Sequence, residues 1–349
     1  MAPREAPARM TPGLLVRRGV LLAVTGVSLY LLFPALAQVF GAFDQLDDVN
    51  PLWFVAMLVL QTGSYCCMWA IQRIALRTER WGPVVTSQLA ANAFGRVVPG
   101  GVAAAGALQY GMLVRAGVPV GAAASGMTAS SVLVFGTLLA LPVLSLPAIL
   151  GGAPVDRGLA RAALVGAGAF LLLFAMGAAC VVWDRPLVLA GRAAQAVRNR
   201  MLRGRLPLMT GLPEKLIEER DMVVEVLGSR WWEALLAASG RWVLDYLTLL
   251  AALTAVGAHP RPSLVLLAFC AAQVLGTLPL TPGGLGFVEA GLTGTLALAG
   301  VGAGAAVVAT LAYRLVSFWL PIPAGGVAAL IHRRHYGAAN GAATASPPP

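Results

Sequence analysis

In a chain this apolar, ionisable side chains embedded in hydrophobic runs are the first candidates for chemistry, and they are few. Glu289 lies in PGGLGFVEAGL, Arg314 follows Tyr313 in TLAYRLVSFWL, Arg96 stands three residues before Pro99 in NAFGRVVPGG, and Arg241 and Asp245 sit four residues apart in SGRWVLDYL. An ion held in hydrocarbon is costly unless it is paired or faces water, so each marks a functional candidate. A guanidinium offers parallel donors to a phosphate or carboxylate. A carboxylate in the first turns of a helix is favoured by the helix dipole, and there it can meet a headgroup or carry a proton. Handling an anion is the chemistry these residue types suit.

A structural reading stands beside each. Glu289 could cap its helix or pair with Arg314 or Arg96; Arg314 could pair with Glu289 or Asp245; Arg96 could contact a phosphate, with Asn92 meeting freed backbone groups beside it. Arg241 and Asp245 share one helix face and read as a structural ion pair. Enzyme templates are missing: His259, His332 and His335 lie in expected extramembrane turns, and no HExxH, GxSxG or GxxxxGK[ST] is present. The expectation is a protein that is not an enzyme and has no catalytic residues, metal or cofactor, its cargo moving down its own gradient or an ion gradient.

The elements that must position these residues are two interrupted stretches. Residues 273–291, QVLGTLPLTPGGLGFVEAG, combine Pro279, Pro282, Gly283 and Gly284 with polar Gln273 and Thr281. Prolines and a glycine pair free backbone groups that a regular helix would satisfy, and broken backbone at membrane depth survives only where protein or a wet cavity surrounds it. An earlier stretch, residues 92–117, carries Pro99, Gly100 and Gly101. Placed on the later one at an offset of 183 residues, which is the separation of Pro99 from Pro282, roughly half of the ungapped positions from 99 to 123 are identical, well above what composition alone yields. This reads as an internal repeat of helix, break and helix.

Composition sets the solvent. The chain has 349 residues, 58% hydrophobic and 11% charged, with a mean hydropathy of +0.78, so the bilayer is its medium. Cys66, Cys67, Cys180 and Cys270 sit in apolar runs without metal-type spacing and read as buried packing residues. The formal charge of +10 does not point to nucleic acid: the arginines flank apolar runs, as in cytoplasmic loops facing anionic lipid.

The expected order is a cytoplasmic N-terminus (1–18), spans near 19–40 and 52–74, a re-entrant hairpin at 83–117, and spans near 118–150 and 159–182. A basic cytoplasmic loop of amphipathic surface helices (184–230), a span near 232–256, a second re-entrant hairpin at 264–300, a span near 302–331 and a disordered tail (336–349) complete it. The predicted fold class is an all-α integral membrane protein with about six full spans plus two re-entrant helical hairpins. Three full spans separate the hairpins, so they face opposite sides, as in the inverted repeats of many secondary transporters. The polytopic domain covers 19–335, in the cell membrane, with both termini cytoplasmic.

The block PGGLGFVEAG, the later AYRLVSFWLPIPAG and the earlier NAFGRVVPGG together resemble the lysylphosphatidylglycerol synthase transmembrane region, also called the flippase-like or UPF0104 family, over roughly residues 15–335. The resemblance implies a polytopic membrane protein that moves an anionic phospholipid or polyprenyl-phosphate-type lipid between leaflets. The aminoacyl-transferase domain of the bifunctional members is not expected here. The expected transport residues are Arg96, Pro99, Gly100, Gly101, Pro282, Gly283, Gly284, Glu289, Tyr313 and Arg314, and the expected partners are membrane lipids. The alternatives are a membrane subunit that works with a separately encoded transferase in a lipid-modifying system, and a secondary transporter of small anions.

Overall fold

A computed structural model describes residues 50–98, 101–141, 182–201, 210–277 and 282–337, with scattered positions between 168 and 180. The expected first span, most of the fourth, Pro99, Gly100, Pro279 and the tail beyond 337 lie outside the described residues. The described elements are helical: α1 (Pro51–Ala75), α2 (Trp81–Val97), α3 (Gly101–Arg115), α4 (Val120–Ala140), α5 (Asp184–Met201), α6 (Leu212–Leu227), α7 (Trp231–Ala255), α8 (Pro262–Thr277), α9 (Phe287–Leu298), α10 (Ala303–Arg314) and α11 (Pro321–Tyr336). Among them, α1, α4, α7 and the continuous run Ala303–Tyr336 are long and apolar enough to cross a membrane, while α9 and most of α8 are apolar but shorter. The chain is an all-helical integral membrane protein.

Burial follows that solvent. Leu52 and Val59 on α1 are 70% and 65% exposed, which in water would be a liability and in hydrocarbon is the normal outward face. Helices in lipid gain little from hiding apolar surface, so they associate through close packing at small residues. A Cβ added to Gly325 on α11 would come within 2.4 Å of the Leu89 carbonyl oxygen on α2, and one added to Gly126 on α4 within 2.7 Å of the Ala75 carbonyl oxygen on α1. The main core joins α7, α8, α9 and α10 around Leu249, Phe269, Leu292 and Ala309. Of the cysteines, Cys270 is buried as expected but Cys66 faces outward, because it lies off the packed face of α1.

The repeat is present element by element. The offset that superposes the two sequence stretches also carries the starts of α1, α2, α3 and α4 to within three residues of the starts of α7, α8, α9 and α10. Even the turns match. Gly117 (φ 88°) and Gly300 (φ 89°) occupy the left-handed region after α3 and α9. The next residue's N–H reaches back across each turn, Val118 to Leu113 O and Val301 to Leu296 O, both at 3.0 Å. These are Schellman closures at equivalent positions, and the left-handed φ is why both are glycine.

Helices α1 and α7, equivalent in the repeat, pack antiparallel: Gly63 lies against Leu244 and Gly240 against Cys67, and Ser64 Oγ donates to Arg241 O between them at 2.9 Å. Equivalent helices running in opposite directions are what an inverted repeat requires.

One end of the molecule gathers basic residues. Arg77 pairs with Glu225 of α6 at 3.6 Å, Arg80 lies over the ring of Tyr336, and α11 ends in Arg333, Arg334 and His335. His332 ties that end together: its Nδ1 lies 2.7 Å from Thr86 Oγ1 of α2 and its Nε2 donates to Met112 O of α3. Helices α5 and α6 pack on each other, and Arg220 of α6 bridges to Asp184 at the start of α5 at 2.7 Å.

Candidate functional site

The break between α8 and α9 builds the site. Pro282–Gly284 form a single 3-10 turn in which Gly283 has φ 58° and ψ 20°. Besides that conformation, space demands glycine, since a Cβ there would stand 2.4 Å from Cε2 of Phe318. Gly284 and Gly286 also have positive φ, at 72° and 82°. Helix α9 starts at Phe287, which puts Glu289 at its third position. The Glu289 carboxylate works twice: Oε2 accepts from the Gly286 N–H at 2.7 Å and Oε1 accepts from Arg314 Nε at 2.6 Å. The structural alternatives for this residue, cap and ion pair, are both realised, and its partner is Arg314 rather than Arg96.

Arg314, 7% exposed, also points Nη2 at Gly283 O at 3.4 Å, and its guanidinium lies 4.1 Å from the centre of the Phe318 ring. That ring has a second cation beside it, the Arg96 guanidinium at 5.0 Å. Arg96 donates from Nη1 to the Phe318 carbonyl and from Nη2 to the Tyr65 hydroxyl at 3.0 Å. The two breaks therefore meet: the Arg96 backbone lies 3.4 Å from where a Gly283 Cβ would be. Gly101, beyond the first break, sits so near that a Cβ on it would stand 2.1 Å from Gly95 O, so it is held as glycine by the close approach of α2 and α3.

Phe318 is delivered by a local irregularity. Residues Leu315–Trp319 form a π turn, closed by Leu320 N–H to Leu315 O at 3.0 Å. Pro321 and Pro323 cannot donate to the preceding turn, and their rings crowd it, so the ladder slips by one residue and a carbonyl is released. Such π insertions recur at functional sites. Here the Phe318 carbonyl accepts from Arg96 Nη1.

Asp245 and Arg241 do not make the direct ion pair expected from their spacing. They share a face of α7, but other helices arrive first. The Tyr313 hydroxyl donates to Asp245 Oδ1 at 3.1 Å, and Gln273 of α8 places Nε2 3.3 Å from Oδ2 and 3.0 Å from the Tyr313 hydroxyl. The Arg241 guanidinium stacks 3.9 Å over Trp242, the preferred aromatic for a cation. Arg241 is still close enough to Asp245, Tyr65 and Arg96 to interact electrostatically, and Arg314 to Arg96.

The result is one constellation of three guanidiniums (Arg96, Arg241, Arg314) and two carboxylates (Glu289, Asp245), of which Arg314 and Asp245 are buried and the other three half-buried. It is a site with one formal positive charge in excess between the broken helices. Tyr313, expected as a contact residue, is 4% exposed and serves Asp245. Pro282 is placed by its backbone at the turn. Sequence reasoning missed Phe318 and Tyr65 as members. Phe318 lies four residues after Arg314 on the same helical face, a spacing that could have flagged it.

Comparison with known proteins places the chain among membrane proteins. The family model described as the lysylphosphatidylglycerol synthase TM region matches residues 19–325. Two curated relatives, each named a UPF0104 membrane protein and both from Methanothermobacter thermautotrophicus (strain Delta H), are 36% identical over 89 residues and 32% identical over 93 residues. The first alignment covers 26% of each chain and the second 27% of this chain and 26% of the relative, so the matched part spans about a quarter of those proteins. No solved structure matches. The chain belongs to the lysylphosphatidylglycerol synthase transmembrane region family.

Proposed function

We propose that this protein is a flippase-like transporter that carries an anionic phospholipid or a lipid-linked phosphate between the leaflets of the cell membrane. The observation that carries the reading is the cluster at the junction of the two breaks with one cation in excess, because guanidiniums at membrane depth that outnumber their carboxylates suit a visiting anion. Arg96 and Arg314 receive the phosphate. Glu289 holds Arg314 in the absence of cargo and is displaced, or protonated, when cargo binds. Both hairpins are re-entrant from opposite sides in this reading, and the basic end formed by α2, α6 and α11 is cytoplasmic. The protein moves lipid rather than making it.

The test is leaflet-resolved transport of fluorescent phosphatidylglycerol in proteoliposomes. Arg314→Ala is expected to lower the rate at least tenfold, and Glu289→Gln to lower it and change its dependence on a proton gradient. Wild-type rates in both variants would refute the assigned roles.

The family description, which names a synthase, favours a second reading in which the chain is the membrane partner of a separately encoded transferase. Under it, aminoacylated lipid would form only when that transferase is co-reconstituted.

A further inference from the structure

Two buried side-chain atoms among the described residues have no hydrogen-bond partner: Gln61 Oε1 and Arg241 Nη1. Native proteins keep few such atoms, and each asks for an explanation. Both belong to residues that act on Asp245. The Gln61 amide is against the Asp245 carboxylate, and Arg241 interacts with the same carboxylate, with Tyr65 and with Arg96. One is an uncommitted acceptor and the other an uncommitted cationic donor, on the facing helices α1 and α7.

Gln61 also lines a groove of about 200 Å³, walled by Leu58, Tyr65, Leu89, Val316 and Leu320. Its walls are apolar, and Leu58 and Leu320 are 45% and 47% exposed, so the groove opens sideways to hydrocarbon. Its polar edge is Gln61, Thr62, Tyr65 and Trp69. The Thr62 hydroxyl is bonded to Leu58 O, the Trp69 N–H to Gln88 and the Tyr65 hydroxyl to Arg96, which leaves the Gln61 oxygen. Among the described residues no charged one lines the groove itself, but Arg96 lies behind Tyr65 and Arg241 interacts with the same tyrosine. Apolar walls open to lipid with two guanidiniums beyond their polar edge match an anionic lipid in shape and charge. A soluble anion would have no use for the walls.

We infer that this groove is a lipid-binding site in which one hydrocarbon chain lies between Leu58, Leu89 and Leu320. The phosphate takes donors from Arg96 and Arg241, and a hydroxyl or ammonium of the headgroup donates to Gln61 Oε1. The inference rests on the transport reading above and adds to it the lateral entry point and a requirement for a donor-bearing headgroup. It also makes Arg241 a cargo contact rather than half of a structural pair.

The test uses the full chain in phosphatidylcholine vesicles containing phosphatidylglycerol with a mid-chain diazirine, followed by photolysis and peptide mapping. Crosslinks are expected on the Pro51–Ala75, Trp81–Val97 and Leu315–Tyr336 segments, competed by excess phosphatidylglycerol but not by glycerol phosphate. Gln61→Leu should weaken that competition about tenfold, the value of one buried hydrogen bond. Leu58→Trp, at a position 45% exposed, should fill the groove and remove the crosslinks, with an unchanged unfolding midpoint in micelles as the check that the variant folds. Labelling spread evenly over all lipid-facing helices, insensitivity to Leu58→Trp, or equal competition by glycerol phosphate would overturn the groove. If lipid exchange still depended on Arg314 in that case, the transport reading would stand. Groove labelling with no exchange in the wild type would support the site and reject the transport reading.

Discussion

At the scale of single residues, the Glu289–Arg314 pair decides how the site rests. With Arg314 and Glu289 side chains 9% and 16% exposed, their charges are nearly removed from solvent, and removing one partner strands the other. Arg314→Met is expected to cost about 3–5 kcal/mol. Arg314→Met combined with Glu289→Leu should cost less than the single change, because no lone charge remains. Equilibrium unfolding in mixed micelles measures both; additive losses would show that the pair is not coupled. Much of this pair was legible in the sequence, since an acid just after a glycine break and an arginine in an apolar span have few other partners. The fate of Asp245 was not. An i, i+4 spacing shows which residues share a face, whereas the hydroxyl of Tyr313 and the amide of Gln273 reach that carboxylate from two other helices, at sequence distances that no local pattern encodes.

At the scale of elements, the two irregularities act as a matched pair, with the Gly283 turn making the hollow and the π turn supplying the ring that fills it. Gly283→Ala should destabilise the protein by more than the roughly 1 kcal/mol of an unfavourable φ, because its methyl also meets Phe318. Pro321→Ala works the other way. Restoring the missing N–H lets Leu315–Trp319 return to regular helix, which raises stability by up to about 3 kcal/mol yet rotates Phe318 and its carbonyl away from Arg96. Transport should fall while the unfolding midpoint rises, and a variant that gains stability with unchanged transport would remove the π turn from the mechanism. The glycine break could be read from composition because each of its residue types has one backbone meaning. The π turn could not, since two prolines after an aromatic run fit a kink, a stop or a bulge equally well.

For the whole molecule, the repeat makes a prediction about sidedness. The matched turns after α3 and α9 should open to opposite compartments, so Val120→Cys and Ala303→Cys should react with an impermeant thiol reagent from opposite faces of sealed vesicles. Labelling of both from one face would exclude the inverted arrangement. The duplication was visible in sequence because glycine turns and helix breaks tolerate little substitution, whereas the antiparallel contact of α1 with α7 depends on packing between residues far apart in the chain. Carrying the offset back through the site shows where the halves have diverged. Arg314 falls on Ser131, Tyr313 on Ser130, Glu289 on Gly106, Asp245 on Thr62 and Arg241 on Leu58, while Phe318 falls on Phe135. The helices repeat, but of the site's five ionic groups only Arg96 lies in the first half, while Arg241, Asp245, Glu289 and Arg314 lie in the second. On the transport reading proposed above, a scaffold repeated in its helices and uneven in its site charges would meet cargo differently from its two faces, and the two directions of movement would then differ in rate.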